Sequence, residues 1–206
     1  MQRLAFAAGL ALVAAALAGC QKHIPETKDR LTPMAMEQMV EEPIAAVRNQ
    51  GLASGQAKFE QLLVADEQRY GRDSVQVADL LTAFGVELYS LGFENDNQAD
   101  SQASLNYLRE AIPHYRKAFG PEHPEVAVAL HSFADADINL NGGRLTPQAE
   151  GALEEALRIR RAALGPDNPE TRATEARLAR ARKHLGSEPL NSAASALDAA
   201  DDTESN

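Results

Sequence analysis

Cys20 is the only cysteine in 206 residues, so no disulfide can form within the chain. Tryptophan is absent. Cationic side chains are outnumbered, 20 Lys and Arg against 30 Asp and Glu, and the formal net charge is −10. That balance argues against a nucleic-acid partner, which needs a positive footprint. No segment alternates strongly between apolar and polar residues, so a sheet is not expected. There is no His-Glu-x-x-His, no Gly-x-Ser-x-Gly and no phosphate-binding glycine loop. The five histidines, His23, His114, His123, His131 and His184, form no close metal-ligand pair on a helix. Asp135 and Asp137 are two residues apart, so on a helix their carboxylates diverge by about 200°. The chain is expected not to be an enzyme and to carry no cofactor or metal.

Repetition fills the space these absences leave. Three segments read as copies: Phe59 to Gly71 (FEQLLVADEQRYG), Leu108 to Gly120 (LREAIPHYRKAFG) and Leu153 to Gly165 (LEEALRIRRAALG). The last two continue as Gly-Pro-Glu-His-Pro-Glu-Val (120–126) and Gly-Pro-Asp-Asn-Pro-Glu-Thr (165–171). From closing glycine to closing glycine the spacing is 49 and then 45 residues, which signals a repeat array.

Apolar spacing of three and four predicts about six to seven helices in antiparallel pairs. Thr32-Pro33 starts a degenerate first helix over 33–49, which Pro43 should kink or end. Gly51 to Gly55 reads as a turn, Gln56 to Tyr70 as a second helix. Ser74 caps a helix carrying Val77, Leu81, Phe84 and Leu88. Glu94 to Asp100 reads as a polar loop. The next helix carries Leu108, Ala111 and Ile112 and should bend at Pro113. His123-Pro124 starts a helix with Val126, Leu130 and Phe133. Thr146-Pro147 starts another, and Asn168-Pro169 opens the last. Residues 187–206 have acidic side chains but no Lys, Arg or aromatic residue, and read as a disordered tail.

The start of the chain stands apart. Arg3 is a short positive region, Leu4 to Leu17 is apolar and uncharged, and Leu17-Ala18-Gly19-Cys20 follows. That order describes a secretory signal, too short for a comfortable membrane span. The four residues Leu17 to Cys20 resemble the lipobox of bacterial lipoproteins. The resemblance implies cleavage after residue 19, lipidation of Cys20 and membrane attachment through that lipid. Gln21 stands where the family's inner-membrane retention signal is usually Asp, which leans towards the outer membrane, facing the periplasm. The expected organisation is a signal peptide (1–19), a lipidated cysteine with tether and first helix (20–50), a repeat domain (51–186) and the acidic tail (187–206).

Trios of a small residue, a large one and a third that is small in the last two copies recur at one spacing: Gly55-Phe59-Leu62, Ser104-Leu108-Ala111 and Ala149-Leu153-Ala156. The preceding helices carry Leu81-Phe84-Gly85 and Leu130-Phe133-Ala134. This pattern resembles the tetratricopeptide repeat, and the Gly-Pro-Glu-His-Pro-Glu-Val linker looks like the longer kinesin-light-chain type. The resemblance covers about residues 55–186. It implies an all-α, antiparallel helix-hairpin solenoid of about three repeats plus a capping helix. It also implies a groove lined by the first helix of each pair, which binds a protein or peptide. In that frame the exposed groove positions are Asp79, Thr82, Val86, Tyr89 and Ser90; then Val128, His131, Asp135, Ile138 and Asn139; then Arg180, Lys183 and His184. The kinesin-type cargo groove uses Asn residues, whereas this chain has Leu130-His131-Ser132-Phe133 and Leu81-Thr82-Ala83-Phe84. The resemblance therefore does not fix the cargo specificity.

Two further expectations concern charge. Asp137 occupies the core-facing frame position of Leu88, and Arg182 is its equivalent in the next copy, which predicts an Asp137–Arg182 ion pair. Residues 57–150 carry 7 basic and 15 acidic side chains, and residues 151–186 carry 8 basic and 5 acidic. The basic end reads as surface arginines with neighbouring partners, or as a site for an acidic partner or lipid headgroups. The sequence thus points to a membrane-anchored interaction scaffold or assembly factor. The alternatives are a non-catalytic regulator of a periplasmic cell-envelope enzyme and a self-associating structural module.

Overall fold

The computed structural model describes residues 33–185. Their regular elements are α-helices: α1 (Pro33–Gln50), α2 (Leu52–Tyr70), α3 (Val75–Glu94), α4 (Gln98–Phe119), α5 (Pro124–Leu140), α6 (Pro147–Leu164) and α7 (Pro169–Leu185). The signal segment, Cys20 with its tether, and the acidic tail lie outside the described residues. The pairs α1–α2, α3–α4 and α5–α6 pack as hairpins, α4 packs on α5, and α6 packs on α7. Each hairpin meets only its neighbours, which is the arrangement of a helical-hairpin solenoid.

Local chemistry sets the helix ends. Ser74 accepts from the Val77 amide at 3.3 Å, and Thr146 accepts from the Ala149 amide at 3.1 Å. The His123 imidazole accepts from the Glu125 amide at 3.3 Å. Each relieves one unsatisfied amide of a first turn. The glycines that close the repeated segments, Gly71, Gly120 and Gly165, have φ of +91°, +89° and +86°. A Cβ is strained in that region, which explains why each copy ends in glycine.

The trios form the hairpin contacts. Phe59, Leu108 and Leu153 are at most 1% exposed. Burying each large side chain contributes about 1.5–3 kcal/mol. Phe59 stacks on Phe84 with centroids 4.0 Å apart, and Tyr107 meets both rings edge-on at 5.1 Å. Leu108 packs so close to Gly85 that a Cβ there would lie 2.9 Å from its Cγ.

Several boundaries differ from the sequence reading. α2 begins at Leu52. Gly51, at φ +92°, makes the turn alone, and Gly55 is a helical contact rather than part of it. The loop expected over 94–100 shrinks to 95–97, because the Asn97 side chain accepts from the Ala99 and Asp100 amides and starts α4 early. α1 runs through Pro43 and α4 through Pro113. Pro113 is exposed, so the carbonyl it leaves without an amide partner can face water.

Candidate functional site

The first helix of a repeat is wedged among several neighbours, and its N-terminal third is buried all round. Every residue from Val75 to Thr82 and from Glu125 to Leu130 is buried. This corrects part of the expected groove. Asp79, Thr82, Val128 and Ile138 are 2%, 6%, 7% and 1% exposed and cannot present side chains to a partner. α3 packs against α1, α2, α4 and α5, so one turn of it has no free side.

One position of the second helices closes each of these junctions. Tyr115 of α4 donates from its hydroxyl to Asp79 Oδ1 at 2.7 Å. Burial, then the charges of Asp79 and Glu125, push the Tyr115 hydroxyl well above its ordinary pKa. Arg160 of α6 stands 45 residues later, at the equivalent place. It is 5% exposed, with its Nη1 3.2 Å from the Glu170 carbonyl and 3.3 Å from His131 Nδ1. Its Nε lies 3.7 Å from the Glu170 carboxylate. Burial pushes the Glu170 carboxyl up against the pull of Arg160. The junction residue has changed from phenol to guanidinium, and its partners have changed with it. Sequence reasoning missed Arg160, Glu170 and Thr174, although the repeat spacing alone aligns Arg160 with Tyr115.

Above that junction a polar row crosses α5 and reaches α3 and α7. A guanidinium only donates, so Arg160 Nη1 makes His131 Nδ1 an acceptor and leaves the ring proton on Nε2. That nitrogen lies 3.3 Å from Asp135 Oδ2. The Thr174 hydroxyl, 3.1 Å from His131 Nδ1, donates to the Glu170 carbonyl at 3.0 Å. Arg177 of α7 donates from Nε to Asp135 Oδ1. Burial works against the Asp135 charge, but hydrogen bonds from His131 and Arg177 and the charge of Arg177 outweigh it and hold the carboxyl below its usual pKa. Asn139 donates from Nδ2 to the Tyr89 hydroxyl of α3.

Among the expected groove residues, then, Tyr89, His131, Asp135 and Asn139 come together. Val86 is half-buried beside them on α3, while Arg180 and Lys183 are exposed on α7. His184 lies on α7, and its side chain is outside the described set.

The expected Asp137–Arg182 pair does not form. Asp137 is core-facing at 7% exposure, but its carboxylate accepts from the Thr146 hydroxyl and from Asn141 Nδ2 at 3.4 Å. Arg182 reaches the other way, to Glu150 at 2.6 Å and to Glu154. The loop after α5 folds back onto Asp137, a local contact that repeat arithmetic does not see. Glu175 pairs with Arg161 at 2.7 Å. These polar residues of α7 reach back to α6, as suits the last helix of a stack.

Where the C-terminal ends of α3 and α5 meet, an open cleft of about 470 Å³ lies between the two hairpin loops. Tyr89, Phe93 and Leu140 supply its apolar wall, and Asp96, Asn97 and Asn139 supply polar atoms. Phe93 is 63% exposed. No cluster of three or more potential ligands that could hold a metal occurs among the described residues.

Stacked hairpins of this kind define a class of α-helical repeat proteins. The family model of the tetratricopeptide repeat matches residues 88–125 and 145–170, and the chain carries tetratricopeptide repeats. Such repeats serve as protein–protein interaction scaffolds. No curated protein matches the chain.

Proposed function

We propose that this chain is a bacterial lipoprotein, held by acyl chains on Cys20 at the periplasmic face of the outer membrane, whose repeats bind a segment of another protein. The observation that carries the binding half is the polar row Tyr89, Asn139, Asp135 and Arg177, which joins three first helices on one side of the stack. Val86 borders the row, and Arg180 and Lys183 extend it along α7. A partner segment lying across α3, α5 and α7 meets amide and hydroxyl groups over α3 and α5 and free cations on α7. Extended and helical peptides dock on such surfaces through a few anchors. The anchoring half rests on Leu17-Ala18-Gly19-Cys20 and on Gln21 after it. Several acyl chains give firm attachment, since each buried CH₂ contributes about 0.8 kcal/mol. No helix among the described residues is long and apolar enough to cross a membrane.

Two measurements test the two halves separately. Labelled palmitate should be incorporated by the native chain and not by Cys20→Ala; equal labelling of both removes the anchor. A photo-crosslinking residue at Asn139 should capture one discrete protein in cells, while the same residue at exposed Arg158 on α6 should not. Equal, diffuse products from both positions remove this face as the working surface. Asn139 is the better probe than His131, whose ring is already engaged by Arg160 and Asp135.

A further inference from the structure

Cations on the last three helices are almost all spoken for. Arg158, Arg161, Arg172, Arg177 and Arg182 each reach a carboxylate. Arg180 and Lys183 are exposed and have no ion pair among the described residues. With Ala176, also exposed, they follow at intervals of four and three, so the three form one stripe along α7. Two unpaired like charges one turn apart repel each other, and an anionic segment laid along the stripe relieves that repulsion.

The chain holds such a segment immediately beyond this helix. Residues 187–206 contain Glu188, Asp198, Asp201, Asp202 and Glu204 and no Lys or Arg. The random-coil root-mean-square length for twenty residues is roughly 25 Å. The 17 residues of α7 span about 26 Å. A tail that starts where α7 stops therefore reaches every point of the stripe when it folds back.

We propose that the acidic tail, residues 187–206, docks on the Ala176–Arg180–Lys183 stripe of its own chain and occupies the α7 end of the repeat face. Each exposed ion pair is weak on its own. A tethered segment, however, works at an effective concentration near millimolar, so a millimolar contact suffices to hold it there much of the time. A partner segment that uses the same stripe has to displace the tail, which makes the tail a built-in competitor for acidic ligands. The inference is independent of the lipid anchor and of the partner's identity.

The test uses the full-length chain in detergent micelles, with a benzophenone amino acid in place of Ala176, which removes no charge. Irradiation is expected to yield an adduct between α7 and a peptide from 187–206. When labelled and unlabelled chains are mixed before irradiation, that adduct should join peptides of one isotope only. Charge reversal by Arg180→Glu with Lys183→Glu should lower its yield about fivefold or more, and so should about 0.5 M salt. Adding Asp201→Lys and Asp202→Lys to the reversed chain should restore it. Absence of the adduct overturns the proposal, and so does a yield indifferent to salt and charge reversal, or a failure to restore it. Mixed-isotope adducts overturn it in favour of a second copy as the occupant. The salt titration is read on chains with both cations intact, so it decides the matter even if the reversed variant folds poorly; circular dichroism checks that folding.

Discussion

The Tyr115 hydroxyl of α4 lies 2.7 Å from Asp79 Oδ1 of α3, in a junction where both side chains are buried. Tyr115→Phe keeps the ring and removes the donor, which leaves a buried carboxylate short of a hydrogen bond. The expected cost is about 2 kcal/mol, within the range for hydrogen bonds to charged groups, read from urea denaturation at neutral pH. The pH dependence is specific. Tyr115 has a folded pKa well above its ordinary value, so its contribution is intact below about pH 10 and is lost as pH rises through the folded value. Native stability should therefore fall more steeply above about pH 10 than that of Tyr115→Phe. Parallel slopes would show that this hydroxyl is not held in its neutral form.

Two glycines in helices should respond oppositely to the same substitution. A Cβ on Gly55 would lie 2.1 Å from Val47 Cγ2 and 2.8 Å from the Pro43 carbonyl oxygen. Gly55→Ala therefore pushes α1 and α2 apart and should cost about 1–3 kcal/mol, as overpacking does. Gly151, exposed on α6, has nothing within 4 Å of its would-be Cβ. Gly151→Ala should raise stability by about 0.5–1 kcal/mol through helix propensity. Thermal melts of the two variants check both signs at once.

The helices, the hairpin trios and the closing glycines were legible in the sequence because each depends on spacing within a few residues. Gly55, Leu108 and Ala156 are buried where the trio pattern places them. The groove was legible only in part. Reading one exposed face per helix treats α3 and α5 as surface helices, but their N-terminal thirds are covered from all sides, so Asp79 and Val128 turn inwards. The run Val75-Gln-Val-Ala-Asp-Leu-Leu-Thr82 holds only one charge, and a helix that is apolar all round is a buried one. That signal was available. Arg160 against His131 was not, because it joins residues 29 apart in sequence through a contact set by three helices.

Asp137 and Arg182 should behave independently. Thr146 uses one oxygen twice, accepting from the Ala149 amide and donating to Asp137. Thr146→Val removes a helix cap, worth about 1 kcal/mol, together with a donor to a buried carboxylate, worth about 1–3 kcal/mol. The melting temperature should drop clearly. Arg182→Ala removes pairs to Glu150 and Glu154 at the solvent surface, which contribute little. Its melting temperature should stay close to that of the native chain. A large loss from Arg182→Ala with none from Thr146→Val would reinstate the Asp137–Arg182 pairing.

The attachment of α7 rests largely on polar contacts, and that makes it sensitive to pH. Arg177 and Asp135 join α7 to α5, while Arg160 and Glu170 join it to α6. Leu178 and Ala181 supply its buried apolar side chains. The Asp135 carboxyl has a lowered folded pKa, so its contribution is present above the unfolded value near 3.9 and is lost as pH falls through the folded value. Arg177→Ala removes one of the two groups that hold it down. The variant should be less stable than the native chain at pH 6, by about 1 kcal/mol for a partly exposed pair in a network. The gap should narrow as pH falls below about 4 and close as pH passes through the lowered folded value, where the native chain also loses the ionised carboxylate. Asp135→Asn should reproduce most of the effect, and combining the two changes should add little, because they remove one interaction from opposite ends. Hydrogen exchange locates the loss: amides of α7 should lose protection in both variants while those of α3 and α4 keep theirs. A uniform loss of protection across the stack would mean that α7 is not a separately held helix but part of one cooperative unit with α5 and α6.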